Sequence, residues 1–205
     1  ATYFTHLYNE NINGEAKRKA GMERDRDGIL KSKLTPLRPV VDTTIRKIDD
    51  VLSIITYQKA SFVLHMLRKE IGDEAFGTGI RSYYRKYQNR NALTADFFNE
   101  MESASGKDLK WFASQWIYRP GLPSLDVIWQ YQPRNGEVVV RIRQTGPEIF
   151  RFPLEIGLGH DRKETIVVTG KETLVRFKTA ENPEKLTLDP DVNLLFGGKI
   201  GIGKL

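Results

Sequence analysis

Cysteine is absent from all 205 residues. Its absence removes disulfide scaffolding, thiolate nucleophiles, cysteine-bound zinc and iron–sulfur ligation as explanations of the chain. Histidine is scarce, with three residues, and no two of them form a His-Glu-x-x-His pair, so a complete zinc-peptidase ligand set of that kind is missing. No Gly-x-Ser-x-Gly elbow exists for a serine hydrolase. No apolar run approaches the roughly 18 residues of a membrane-spanning helix, and no secretory signal is present. The chain opens Ala1-Thr2-Tyr3-Phe4 with no initiator Met, so position 1 reads as a cut and not as a natural start.

What remains is the composition of a folded chain, 40% apolar, 28% charged and 10% aromatic, which excludes bulk disorder. The formal charge is +6, and basic residues concentrate between Lys17 and Arg38. No aromatic side chain is interleaved there, so a stacking platform for single-stranded nucleic acid is absent. The segment reads as a solvated face, or as a surface for an acidic partner.

Helical periodicity dominates up to Pro120-Gly121-Leu122-Pro123. Ala60, Val63, Leu64, Leu67 and Ile71 form a stripe at i, i+3, i+4, i+7 and i+11, closed by Gly72. Asp73 suits the cap of a second helix with Phe76, Ile80, Tyr83, Tyr84 and Tyr87 on its face. Thr94 can cap a third through Phe97, Phe98 and Met101, stopped at Gly106. Asp108 can cap a fourth with Leu109, Phe112, Ala113 and Trp116. The opening Tyr3-Phe4-Leu7-Tyr8 reads as the tail of another helix. Pro36 and Pro39 make the 34–55 stretch an extended or looped connector.

Beyond Pro123 the pattern turns to alternation. Runs at 125–131, 138–143, 152–158, 165–168, 173–177 and 185–188 read as short strands, with Asn135-Gly136 as a hairpin turn. Such short strands, six or seven in about 80 residues, predict a small sandwich. The fold class is therefore α+β with two domains: an N-terminal helical bundle over 1–120 and an antiparallel β-sandwich over 121–205.

Several motifs carry little chemistry. His6 with Glu10 one turn later is a ligand pair or a surface contact; His65 reads as a satisfied histidine on its helix, and His160 as part of the turn Gly159-His160-Asp161. Asp25-x-Asp27-Gly28 starts like a calcium loop but lacks its later ligands. Gly198-x-x-x-x-Gly203-Lys204 spells most of a phosphate-binding loop, yet Leu205 stands where Ser or Thr is needed.

One ordered set of motifs is more specific. Tyr57-Gln58-Lys59-Ala60-Ser61 opens an apolar helix that ends at Ile71-Gly72. Phe76, then Leu93-Thr94-Ala95-Asp96-Phe97 follow, and Gln115-Trp116-Ile117-Tyr118-Arg119-Pro120-Gly121-Leu122-Pro123 closes the set. This order resembles the aminopeptidase N-type zinc metallopeptidases, relatives of leukotriene hydrolase, whose pattern is Tyr-x-Lys-Gly-Ala, an apolar helix and Trp-x-x-x-x-Gly-x-Pro. Ala1-Thr2-Tyr3-Phe4 resembles the end of the family's Asn-Glu-Gly-Phe-Ala-x-Tyr-Phe segment. Asn182-Pro183-Glu184-Lys185-Leu186-Thr187-Leu188-Asp189-Pro190 resembles the last strand of its sandwich domain. Ala60-Ser61 replaces the usual Gly-Ala.

The resemblance implies half of a thermolysin-like catalytic domain followed by the β-sandwich. It implies zinc and a peptide substrate in the parent protein, with the two histidines, the general base and the ligand glutamate all before Ala1. None of these carries over, so this chain is expected to hold no cofactor, to need the missing N-terminal part of the same protein as its partner, and to be inactive alone. No nucleic acid and no membrane span are expected. One catalytic residue does carry over: Tyr57, whose hydroxyl in the family stabilises the oxyanion formed when zinc-bound water attacks a peptide carbonyl. The alternative is a non-catalytic interaction module using segment 17–38.

Overall fold

The structure, a computed structural model, describes residues 1–203. The chain divides into two compact units, Ala1–Gly121 and everything from Leu122 onward.

In the first unit α1 (Thr2–Asn13) and α2 (Glu15–Lys31) pack together, separated by Gly14. A looped connector follows, broken by a 3-10 turn at Ile48–Val51. A π-helical turn, Ile55–Lys59, then runs directly into α3 (Ala60–Ile71). The unit continues with α4 (Asp73–Tyr87), α5 (Thr94–Ser105) and α6 (Lys110–Trp116). Helix α2 has little amphipathic character, yet it buries Arg18, Met22 and Ile29 almost completely.

The stripe expected on α3 is only part of what that helix buries. Phe62, His65 and Met66 are as enclosed as Val63 and Leu67, whereas Ala60 and Leu64 are half-buried. The cause is packing on more than one side: α3 meets α1, α2 and α4. On α4, Phe76 is buried but Tyr84 is 68% exposed, so the aromatic face is narrower than its spacing suggests. Thr94 is not the cap of α5. Leu93 occupies the N-cap, and the Asp96 carboxylate accepts the Leu93 backbone N–H at 2.8 Å. Asp108 accepts the Lys110 N–H at 2.9 Å at the start of α6.

The second unit holds β1 (Ser124–Gln132), β2 (Glu137–Gln144), β3 (Phe152–Leu158), β4 (Arg162–Val168), β5 (Glu172–Lys178), β6 (Leu186–Leu188) and β7 (Gly197–Ile202). They form two sheets, ordered β5-β2-β1-β7 and β4-β3-β6. Alternation buries Leu125, Val127 and Trp129 on β1, and Phe152, Leu154 and Ile156 on β3. Gln144 ties a loop to the core by donating to the Phe150 carbonyl at 2.8 Å and accepting the Phe150 N–H at 2.9 Å. Buried Asp189 accepts the backbone N–H groups of Asn193 and Leu194 at 2.7 and 3.1 Å.

The sequence reading of an antiparallel sandwich is corrected at one strand. β7 runs parallel to β1, pairing Ser124 with Gly197 through Trp129 with Ile202, so the larger sheet is mixed. In Gly197-Gly198-Lys199-Ile200-Gly201-Ile202 only Ile200 and Ile202 alternate, too short and too glycine-rich a pattern to announce a strand. Its glycines serve a close approach: a Cβ on Gly198, at φ 148°, would lie 2.1 Å from the Leu125 carbonyl oxygen. Among the described residues no helix is long and apolar enough to cross a membrane.

Gly198→Ala is expected to push β7 off β1 and destabilise the second unit by about 3 kcal/mol, the upper range for overpacking. A thermal melt followed by circular dichroism checks this; an unchanged midpoint would mean that β7 contributes nothing to the sheet.

Candidate active site around Tyr57

Tyr57 sits in the middle of the π-helical turn. The Ile54 carbonyl accepts two N–H groups there, from Gln58 at 3.0 Å and from Lys59 at 2.9 Å, so one extra residue is wound into the helix start. Ile55 and Lys59 are buried, at 2% and 1% exposure, and Tyr57 between them is 43% exposed. Among the described residues no group hydrogen-bonds its hydroxyl. The turn thus points its ends inward and presents a phenol outward.

Lys59 was not singled out by sequence. Its Nζ donates to the Gly121 carbonyl at 3.3 Å, and burial pushes its ammonium down to about 8. Gly121 holds φ 80°, a left-handed conformation that favours glycine; its N–H is donated to the Thr35 carbonyl at 2.9 Å. Thr35 in turn donates its hydroxyl to the Ile29 carbonyl at 2.6 Å, and Val41 donates its N–H to the Ile117 carbonyl at 3.1 Å. The two motifs read separately in the sequence, Tyr57-x-Lys59 and Trp116-x-x-x-x-Gly121, therefore meet through one hydrogen bond. A signal existed: Lys59 is in helical step, at i, i+3 and i+7, with Phe62 and Met66, both buried on α3. Ser61 is also buried, and among the described residues its hydroxyl has no hydrogen-bond partner.

A second polar group lies deeper in the unit. His65, fully buried, places Nδ1 3.1 Å from the Tyr3 hydroxyl and Nε2 3.2 Å from Arg18 Nη1. A guanidinium only donates, so Nε2 accepts and the ring proton sits on Nδ1, toward Tyr3. Arg18 also pairs with Glu10 and Glu15, each at 3.0 Å, and Glu10 reaches Arg68 at 3.3 Å. Arg68 pairs with Asp73 at 2.8 Å, which lowers the Asp73 carboxyl below its usual value. Burial, more than the neighbouring guanidinium groups, acts on Tyr3 and raises its phenol.

These contacts settle the other candidates. His6 is bonded to Asp25 at 2.7 Å and not to Glu10, so the His6–Glu10 ligand pair is not assembled. Asp25 and Asp27 stand on α2, where no calcium loop can form. His160 lies in an exposed turn. Arg18 is withdrawn from the basic face of 17–38, leaving residues such as Lys17, Arg24 and Lys31 on it. The phosphate-loop pattern from Gly198 runs along β7, and its final Lys204-Leu205 lie outside the described residues. Among the described residues no group of three or more His, Asp or Glu is placed to hold a metal ion.

The fold is shared with part of a solved aminopeptidase. The chain is similar to the crystal structure of Legionella pneumophila aminopeptidase A in complex with aspartic acid, with a TM-score of 0.75 and 18% identity; 97% of this chain and 23% of that one are covered. Residues 1–116 match the peptidase family M1 domain, and the chain belongs to that family of metallopeptidases. It is 44% identical over 71 residues to aminopeptidase N of Lactococcus lactis subsp. lactis, covering 35% of this chain and 8% of that protein. It is 24% identical over 147 residues to a probable aminopeptidase 1 of Sulfurisphaera tokodaii, covering 70% of this chain and 18% of that protein. The chain thus spans less than a quarter of the length of each of these proteins.

Family membership implies zinc in the parent protein, and the donors present here do not fit one. The Nε2 of His65 faces a guanidinium, which repels a cation, and His6 is held by a single carboxylate.

Two outcomes are expected. Removing the orphaned hydroxyl with Ser61→Ala should stabilise the first unit by about 1 kcal/mol, read as a higher thermal midpoint; a lower midpoint would show that the hydroxyl is satisfied. For Lys59, the unfolded chain keeps its proton to higher pH than the folded one, so its burial penalty is complete below about pH 8 and relieved as pH rises toward the ordinary lysine value. Relative to Lys59→Met, the wild type should gain on the order of 1–3 kcal/mol between about pH 8 and 10.5, measured by urea unfolding at each pH. A flat difference would show the ammonium to be solvated.

Proposed function

We propose that this chain forms one wall of the active site of a longer M1 aminopeptidase, which removes N-terminal residues from peptides, and that Tyr57 is a catalytic residue of that reaction. The observation that carries the reading is the exposed Tyr57 phenol, held on a π-helical turn whose two ends are buried. A phenol is a neutral donor near pH 7. Placed beside a peptide carbonyl, it meets the charge that develops on oxygen as a tetrahedral intermediate forms, and it is worth most where that charge appears only in the transition state. The match of the chain to M1 aminopeptidases supports the substrate class.

In this reading the chain's own residues position and donate, and the metal ligands belong to the remainder of the longer protein. The isolated chain is therefore inactive. Purified chain incubated with zinc and aminoacyl-anilides is expected to release no product above background; robust turnover would overturn the assignment of the metal site to another part of the protein. In the longer protein, Tyr57→Phe should lower kcat by about 10²–10³ with KM nearly unchanged. Steady-state kinetics with kcat at the wild-type level would remove Tyr57 from the reaction.

A further inference from the structure

We infer that Lys59 is a positioning residue for Tyr57, acting through the hydrogen bond from its buried Nζ to the Gly121 carbonyl; the inference rests on the reading of Tyr57 given above.

The π-helical turn has a register to lose. Its extra residue is accommodated because the Ile54 carbonyl receives both the Gln58 and the Lys59 N–H. If the turn relaxed to ordinary α-helix by one residue, the side chains within it would swing by about 100° around the helix axis. Such a swing turns Tyr57 away from wherever it now points. Something must therefore hold the register, and the two buried residues of the turn differ in what they can do. Ile55 contributes apolar contact, which has no direction. Lys59 contributes a directed bond, 3.3 Å long, to a carbonyl whose own residue is fixed on its other side by the bond from its N–H to Thr35. Thr35 is itself tied to Ile29 of α2. The chain of contacts runs from the turn, through Gly121, into the connector and α2, so the rotation of the turn is set by elements far from it in sequence.

An ammonium at 1% exposure is costly to keep. Burial weakens it as a cation, and among the described residues no carboxylate pairs with it; its donor is directed at a neutral carbonyl. An apolar side chain of similar length would fill the same space without that cost. The bond to Gly121 is what distinguishes lysine there.

The test has two readouts. First, 3-fluorotyrosine is incorporated at position 57 of this chain, and its fluorine spectrum is compared with that of Lys59→Met carrying the same label. The expected result is one sharp resonance with Lys59 and a split or exchange-broadened signal without it; identical spectra from two folded proteins would overturn the inference. Second, in the longer protein Lys59→Met is expected to lower kcat at least 10-fold with KM within about twofold, and to have no further effect on kcat in a Tyr57→Phe background. Multiplicative losses in the double variant would overturn it, because Lys59 would then act independently of Tyr57. A loss of kcat in Tyr57→Phe with none in Lys59→Met overturns the role of Lys59 alone. No loss in Tyr57→Phe overturns the reading of Tyr57 instead, and the fluorine spectra then decide whether Lys59 fixes the turn. Should Lys59→Met fail to fold, Gly121→Ala disturbs the same bond from its acceptor side. An added Cβ there meets nothing within 4 Å, so the variant strains the left-handed backbone without filling the core. It is expected to broaden the same signal, and a sharp wild-type resonance would count against the inference.

Discussion

A single buried ammonium, that of Lys59 on the Gly121 carbonyl, holds together parts of the helical unit that the sequence keeps 62 residues apart. On one side of it is the π-helical turn with Tyr57. On the other is the turn that leaves α6, itself pinned to the connector through Thr35 and Val41. Removing any link leaves a buried donor or acceptor without its partner, the costly way to lose a hydrogen bond. The same logic explains why a cation is tolerated where an apolar side chain would be cheaper to bury: the lysine is there for direction and not for strength.

The deeper network obeys a different balance. Arg18, His65, Tyr3, Glu10, Arg68 and Asp73 satisfy one another across α1, α2, α3 and the start of α4. Arg18, at 1% exposure, pairs with two carboxylates and fixes the tautomer of a histidine. His65, and His6 through its bond to Asp25, are thereby committed to packing helices together. This separates the unit's buried electrostatics from its exposed phenol, and α2, so polar along its length, is also held in the core by Met22 and Ile29.

Much of this architecture was legible in the residues, and the failures have identifiable causes. The helices between 60 and 116 and the strands between 125 and 188 announced themselves because their apolar residues keep a single period. α2 did not, since one of its core contacts is an arginine whose charge reads as surface. β7 did not, because glycine has no side chain to alternate. The π-helical turn has no compositional mark at all; an extra residue in a helix is a matter of backbone bonding. Tyr57 entered as a candidate through family likeness, while burial gave the reason for its neighbour Lys59, whose place on the Phe62–Met66 face was visible to periodicity but hidden by the habit of putting lysine outside. The aminopeptidase family was legible from motif order, and the parallel pairing of β7 with β1 was not.

That pairing carries a consequence for how the second unit is made. Among the described strands β1 comes first in chain order and β7 after all the others, yet they are immediate neighbours. During synthesis β1 can pair with β2 as soon as the hairpin leaves the ribosome, but its other edge stays bare until nearly the entire unit has been translated. For that interval a row of unpaired backbone groups on an apolar strand is open to any passing polypeptide. The late, glycine-rich strand serves as the unit's seal, and nascent chains stalled short of Gly197 would be the species most in need of a chaperone.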